Sequence, residues 1–225
     1  MEGPFPVHPF YIVCDESKSM EGVAIESINH ALPEIHKAIA CDPVCNDKVR
    51  VGVISFSNSA EVLLPLSIMS DILGVPGLVA KDGTNYGNAF TCLKKAIHDD
   101  ITALIAQRDV IVNRPIVFFI SGSEPTDTNW QAAHNVVADK NWPFSPHIVA
   151  IGFGEAQTET IREVATGVGR SGEQFAYFAD DNADPGLVLN EIFKSIFRSL
   201  LGGQIGPGGL YLPVTGPGFI KLNES

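Results

Sequence analysis

Apolar residues fall into short blocks separated by stretches of mixed character. Residues 7–14 are apolar at nearly every position, which predicts a strand buried on both faces. Residues 19–40 carry apolar side chains at three- and four-residue spacing, which predicts a helix with a kink or break at Pro33. Val49–Phe56, rich in β-branched residues, predicts a second strand. Ser57-Asn58-Ser59 predicts a tight turn, and residues 60–66 return as a third strand whose Pro65 belongs at a sheet edge. Residues 67–83 read as irregular loop. Helices predicted over 86–107, 128–139, 158–166 and 185–200 then alternate with strands over 116–121, 146–153 and 174–178.

Alternation of this kind predicts an α/β fold: a doubly wound, mostly parallel central sheet of about six strands with helices on both faces. Residues 60–66 are its one antiparallel edge strand. In such sheets ligands bind beyond the carboxyl ends of strands, near a topological switch point. From residue 202 the composition changes to Gly202-Gly203-Gln204-Ile205-Gly206-Pro207-Gly208-Gly209, which suits neither a helix nor a central strand. The expected organisation is one domain over 1–201 and an extended Gly/Pro-rich tail over 202–225 that packs outside the α/β core or is ordered only by a partner.

The 225 residues are 45% hydrophobic, enough for one sizeable core, and carry a net charge of −11. That charge argues against nucleic-acid partners and against an anionic membrane surface, both of which need clustered Lys and Arg. No apolar run is long enough to predict a membrane span. Met1-Glu2-Gly3-Pro4 has no basic stretch ahead of an apolar one, so no targeting segment is expected. Cys14, Cys41, Cys45 and Cys92 read as free thiols, which points to a reducing cytoplasm.

Enzymatic signatures are few. Gly152-Phe153-Gly154-Glu155-Ala156-Gln157 has Gln157 where a dinucleotide fingerprint needs its third glycine. No phosphate-binding loop, no His-Glu-x-x-His and no Gly-x-Ser-x-Gly elbow occurs, and Gly169-Arg170-Ser171-Gly172 lacks the elbow spacing. A serine hydrolase using His134 as base is the enzymatic alternative. Trp130 and Trp142 are expected in the core.

The first strand ends in Asp15-Glu16-Ser17-Lys18-Ser19, so one short loop offers a carboxylate and two hydroxyls. Thr84, in Asp82-Gly83-Thr84-Asn85-Tyr86-Gly87, offers a third hydroxyl from a separate loop. A hard cation such as Mg²⁺ takes oxygen ligands of this kind. Helix capping is the competing reading, because Ser, Thr and Asp are favoured N-cap residues.

Asp15-x-Ser17-x-Ser19 with Thr84 resembles the metal-ion-dependent adhesion site of von Willebrand factor A (VWA) domains. Val51-Gly52-Val53-Ile54-Ser55-Phe56, Ile148-Val149-Ala150-Ile151-Gly152-Phe153-Gly154 and Glu124-Pro125-Thr126-Asp127 resemble other segments of that family, most closely its tellurium-resistance-type subgroup. The resemblance covers roughly residues 8–200. It implies a non-enzymatic protein-binding module of a bacterial stress or conflict system. Mg²⁺ (or Ca²⁺ or Mn²⁺) on Asp15, Ser17, Ser19 and Thr84 would accept a carboxylate from a protein partner, such as a kinase or phosphatase. One departure stands out. Gly122 occupies the place of the family's usual Asp, so a carboxylate is missing. Ser121, Ser123 and Glu124 flank it with oxygen donors, and the sequence does not choose among them. A metal-free interaction scaffold with a degenerate site is the alternative.

Overall fold

The structure, a computed structural model, describes residues 4–166, 174–179, 184–201, 215–216 and 219–222. Among them β1 (Phe5–Asp15), β2 (Val49–Phe56), β5 (Ile116–Ser121), β6 (His147–Gly152) and β7 (Ala176–Ala179) form a parallel sheet. β3 (Ala60–Ser67) closes one edge antiparallel to β2, as the Ser57–Ser59 turn predicts. The sheet order is β3-β2-β1-β5-β6-β7. The chain therefore reverses its direction of growth between β1 and β5, and this switch point places the ends of those two strands side by side.

Alternate residues of β1 explain why its apolar run is continuous. Phe10, Ile12 and Cys14 enter a core beneath α1 (Val23–Ala40) and α6 (Pro185–Leu201). Tyr11 and Val13 enter a second core beneath α3 (Tyr86–Ile105), α4 (Trp130–Ala138) and α5 (Thr158–Val164). Both faces are covered, so neither set of positions is polar. Trp130 is buried in the second core, while Trp142 packs half-buried at its margin. All four cysteines are free thiols.

The structure departs from the sequence reading in several places. The helix after β1 starts at Val23, because residues 18–20 form a separate 3-10 turn and Gly22, at φ +88°, turns the chain between them. α1 continues through Pro33 without a break. A short helix, α2 (Pro43–Lys48), and a three-residue strand, β4 (Val110–Val112), appear in segments to which the sequence pattern assigns no element. Asp42 caps α2 by accepting a hydrogen bond from Cys45 N at 2.8 Å.

Within the segment expected to be a tail, β8 (Thr215–Gly216) and β9 (Phe219–Lys221) are described. β9 pairs antiparallel with β7 and extends the sheet at the edge opposite β3, where the sequence reading has extended chain outside the core. Residues 202–214, 217–218 and 223–225, which make up the rest of that segment, lie outside the described residues, as does Gly169-Arg170-Ser171-Gly172.

Candidate functional site

Asp15 is the last residue of β1 and Ser121 the last of β5, so the switch point brings them together. Asp15 is completely buried. Its Oδ1 accepts from Ser17 N at 2.7 Å, and its Oδ2 accepts from Ser121 Oγ at 2.6 Å and Gly122 N at 3.3 Å. Burial pushes the Asp15 carboxyl above the usual carboxylate range, while the hydrogen bonds from Ser121, Ser17 and Gly122 pull against it.

In front of this carboxylate the hydroxyls converge. Ser17 Oγ lies 2.8 Å from Ser19 Oγ and 3.1 Å from Ser123 Oγ. Thr84 Oγ1 lies 2.9 Å from the same Ser123 Oγ, which stands 3.4 Å from Asp15 Oδ2. Ser123 is thus the hub of the cluster, touching groups from the β1 loop and the loop before α3. Ser17 and Thr84 are buried, whereas Ser19 is exposed and opens the cluster to solvent.

None of these hydroxyls caps a helix. Asn85 caps α3, accepting from Asn88 N at 2.7 Å. Gly22 occupies the cap position of α1, and Ser17, which precedes the 3-10 turn, makes no side-chain capping bond. The next groups along the β5 loop are engaged elsewhere. Glu124 accepts from Gln157 N and from Thr160 Oγ1, both at 2.7 Å, and so holds the start of α5. Asp127 accepts from Tyr86 N at 2.9 Å and Gly87 N at 3.0 Å, satisfying open donors at the start of α3.

Backbone bonds lock the three loops together. Thr126 N donates to Thr84 O at 2.8 Å, Asn85 N to Ser57 O at 2.7 Å, and Lys81 N to Glu16 O at 2.6 Å. The buried Glu16 is paired with Lys81 at 2.8 Å, and Lys81 also reaches Glu61 at 2.8 Å. The irregular loop before α3 is therefore pinned to the site by an ion pair that motif reading did not find.

Comparison with known proteins decides the family. A family model described as the von Willebrand factor type A domain matches residues 10–194. The chain belongs to that family. VWA domains commonly carry a metal-ion-dependent adhesion site and serve as interaction modules. No curated protein matches the chain in sequence. Among solved structures it is similar to proximal thread matrix protein 1 of the mussel byssus, at TM-score 0.56 and 16% identity over 86% of this chain and 48% of that one. It is also similar to VWA2, the ArnB paralog from Sulfolobus acidocaldarius, at TM-score 0.53 and 18% identity over 86% of this chain and 46% of that one. The chain thus spans just under half the length of either relative, and at these identities the likeness is one of fold.

In this VWA domain the missing carboxylate has a structural counterpart. A Cβ on Gly122 would stand 2.8 Å from Met20 Sδ and 2.9 Å from Phe153 Cε2, both in buried side chains. The space an Asp would need is filled. Gly122→Asp is therefore expected to lower stability by about 1–3 kcal/mol through overpacking. Equilibrium urea denaturation measures this, and a Met20→Ala background should shrink the penalty. An unchanged midpoint for Gly122→Asp would show that the neighbours yield freely.

Among the described residues His134 is hydrogen-bonded to a backbone carbonyl and to no serine. Its Nε2 bonds to Val164 O at 3.0 Å, its ring packs on Phe90 and Trp130, and burial lowers its pKa. The base proposed for the hydrolase alternative is thus engaged in the core beneath α4.

Proposed function

We propose that this VWA domain is a non-enzymatic protein-binding module. A divalent cation, Mg²⁺ or else Ca²⁺ or Mn²⁺, would be held by Ser17, Ser19, Thr84 and Ser123 in front of Asp15. The observation that carries this reading is the convergence of these hydroxyls from three separate loops, Ser17 and Thr84 on Ser123 and Ser19 on Ser17, with none of Ser17, Ser19 and Thr84 used as a helix cap. The donor set is all oxygen, the chemistry a hard cation prefers. Neighbouring ligands of an octahedral Mg²⁺ at roughly 2.0–2.1 Å stand about 2.9 Å apart, close to the hydroxyl separations here.

Asp15 anchors the set. Both its oxygens already accept protein donors, so it aligns the Ser17 backbone and Ser121, and contributes charge from behind the hydroxyls. When bound, the cation would supply the positive point that lets a partner carboxylate dock on a chain of net charge −11. The finer placement rests on the sequence alone: the resemblance implies a tellurium-resistance-type protein of a bacterial stress or conflict system with a kinase or phosphatase as partner, and the free thiols point to the cytoplasm.

A second reading draws on the same hub. The separations around Ser123 are equally those of O–H···O hydrogen bonds. A metal-free scaffold in which the Ser123 hydroxyl itself ties the loops together therefore has a specific observation in its favour. Titration calorimetry with Mg²⁺ and Mn²⁺ separates the two. Saturable binding that weakens at least tenfold in Ser123→Ala, with little change in melting temperature, supports the metal centre. Absence of binding by the wild-type chain, with a lower melting temperature for Ser123→Ala, supports the scaffold. Partner capture with and without chelator then shows whether binding runs through the cation.

A further inference from the structure

At the amino ends of β5 and β6, the opposite end of the sheet from Asp15, lies a cavity of about 750 Å³. This volume is in the range of small-molecule sites. It opens between the end of α3 and the loop that leads into β6. Ile101, Ile105, Val112, Trp142 and Phe144 give it apolar walls.

The polar lining is one-sided. Arg114 and Lys140 border the cavity, and no carboxylate does among the described residues. Neither cation is ion-paired with a carboxylate among those residues, in a chain of net charge −11. Arg114 is held in place by neutral acceptors. Its Nε donates to Ser145 O at 2.7 Å, and its Nη2 lies 3.4 Å from both Ser145 Oγ and Pro146 O. Its Nη1 has no partner among the described residues. A guanidinium fixed on one side, with donors open on the other, is suited to a carboxylate.

We infer that this cavity is a binding site for a small amphipathic anion, a medium-chain carboxylic acid. Arg114 Nη1 takes the carboxylate, Lys140 adds attraction at the rim, and the alkyl body lies against Trp142, Phe144 and Ile105. His147, which also lines the cavity, stays neutral at physiological pH, because burial and the nearby Arg114 lower its pKa to about 4. The site is independent of the cation-binding reading, since it shares no residue with the Asp15 cluster.

The test uses the full chain and two probes of equal tail length, octanoate and 1-octanol, in titration calorimetry. Saturable one-to-one binding of octanoate, at least tenfold tighter than 1-octanol, is expected. Arg114→Met should abolish the preference for the anion. That guanidinium also ties the loop at Ser145, so a second variant guards against a folding artefact. Ile105 lines the cavity and is 55% exposed, so Ile105→Glu adds a carboxylate there at little risk to the fold. It should weaken octanoate at least tenfold, with 1-octanol affected far less and the melting temperature unchanged. Absence of saturable octanoate binding overturns the proposal. So does equal affinity for the two probes, as an apolar groove without an anion site would show, or octanoate binding indifferent to Ile105→Glu.

Discussion

Asp15→Asn, the most conservative change available in shape, is expected to destabilise the domain by about 2 kcal/mol, within the 1–3 kcal/mol cost of leaving a buried donor unsatisfied. Each carboxylate oxygen of Asp15 accepts from a backbone N–H, Oδ1 from Ser17 and Oδ2 from Gly122. Backbone donors cannot reverse. Whichever way the amide is turned, its NH₂ faces one of them. The Ser121 and Ser123 hydroxyls can rotate to accept instead, so the penalty is about one lost pairing rather than four. Asp15→Ala removes all four acceptor contacts and should cost more. Urea denaturation of the wild-type, Asn and Ala chains measures the order. If the Asn variant matches the wild type, the buried carboxylate is not the organiser of these loops. In the metal reading both variants also lose Mg²⁺ affinity, because the charge behind the hydroxyls is gone.

Much of this site was legible in the sequence, for a physical reason. Asp15, Ser17 and Ser19 follow a strand whose two-sided burial is written in its residues, and Thr84 follows a loop rich in turn formers. What could not be read was the direction of side chains set by tertiary packing. Ser121, Ser123 and Glu124 were equivalent as oxygen donors on paper. In the fold, Ser121 turns back to Asp15, Glu124 turns away to the start of α5, and only Ser123 joins Ser17 and Thr84. Gly122 read as a loss, yet Met20 and Phe153 fill the space beside it, a relation between positions about a hundred and about thirty residues away. The missed elements were short. β4 has three residues and, among the described residues, pairs only with Phe5–Val7, and β9 has three and leans on β7, too few for any period to show. α2 was also below that length, although Asp42-Pro43 carries the cap and first-turn proline that mark a helix start.

Acid should weaken this domain well above the carboxylate range, and buried histidines are the reason. Burial, with Lys48 nearby, lowers the pKa of His8 to about 4. Burial, with Arg114 nearby, lowers that of His147 to about 4. Both titrate near 6.5 in an unfolded chain. Between those values the unfolded state binds protons that the folded state refuses, so stability is fully present above about pH 6.5 and is lost as pH falls toward 4. For shifts of this size, each histidine contributes a loss of at most about 2 kcal/mol between pH 7 and pH 5. The pair approaches about 4 kcal/mol, a large part of a domain's total of roughly 5–15 kcal/mol. His134, also lowered by burial, acts in the same direction. Asp15 and Asp100 act in the opposite one, because their carboxyls are raised by burial and favour the folded state as they protonate. Substitution isolates the histidine part from this background. His8→Gln and His147→Gln should each flatten the dependence of unfolding free energy on pH between 7 and 5, whatever they do to stability at pH 7. Retention of the full wild-type slope by both variants would place the acid sensitivity elsewhere, and with it the claim that these two rings are held neutral.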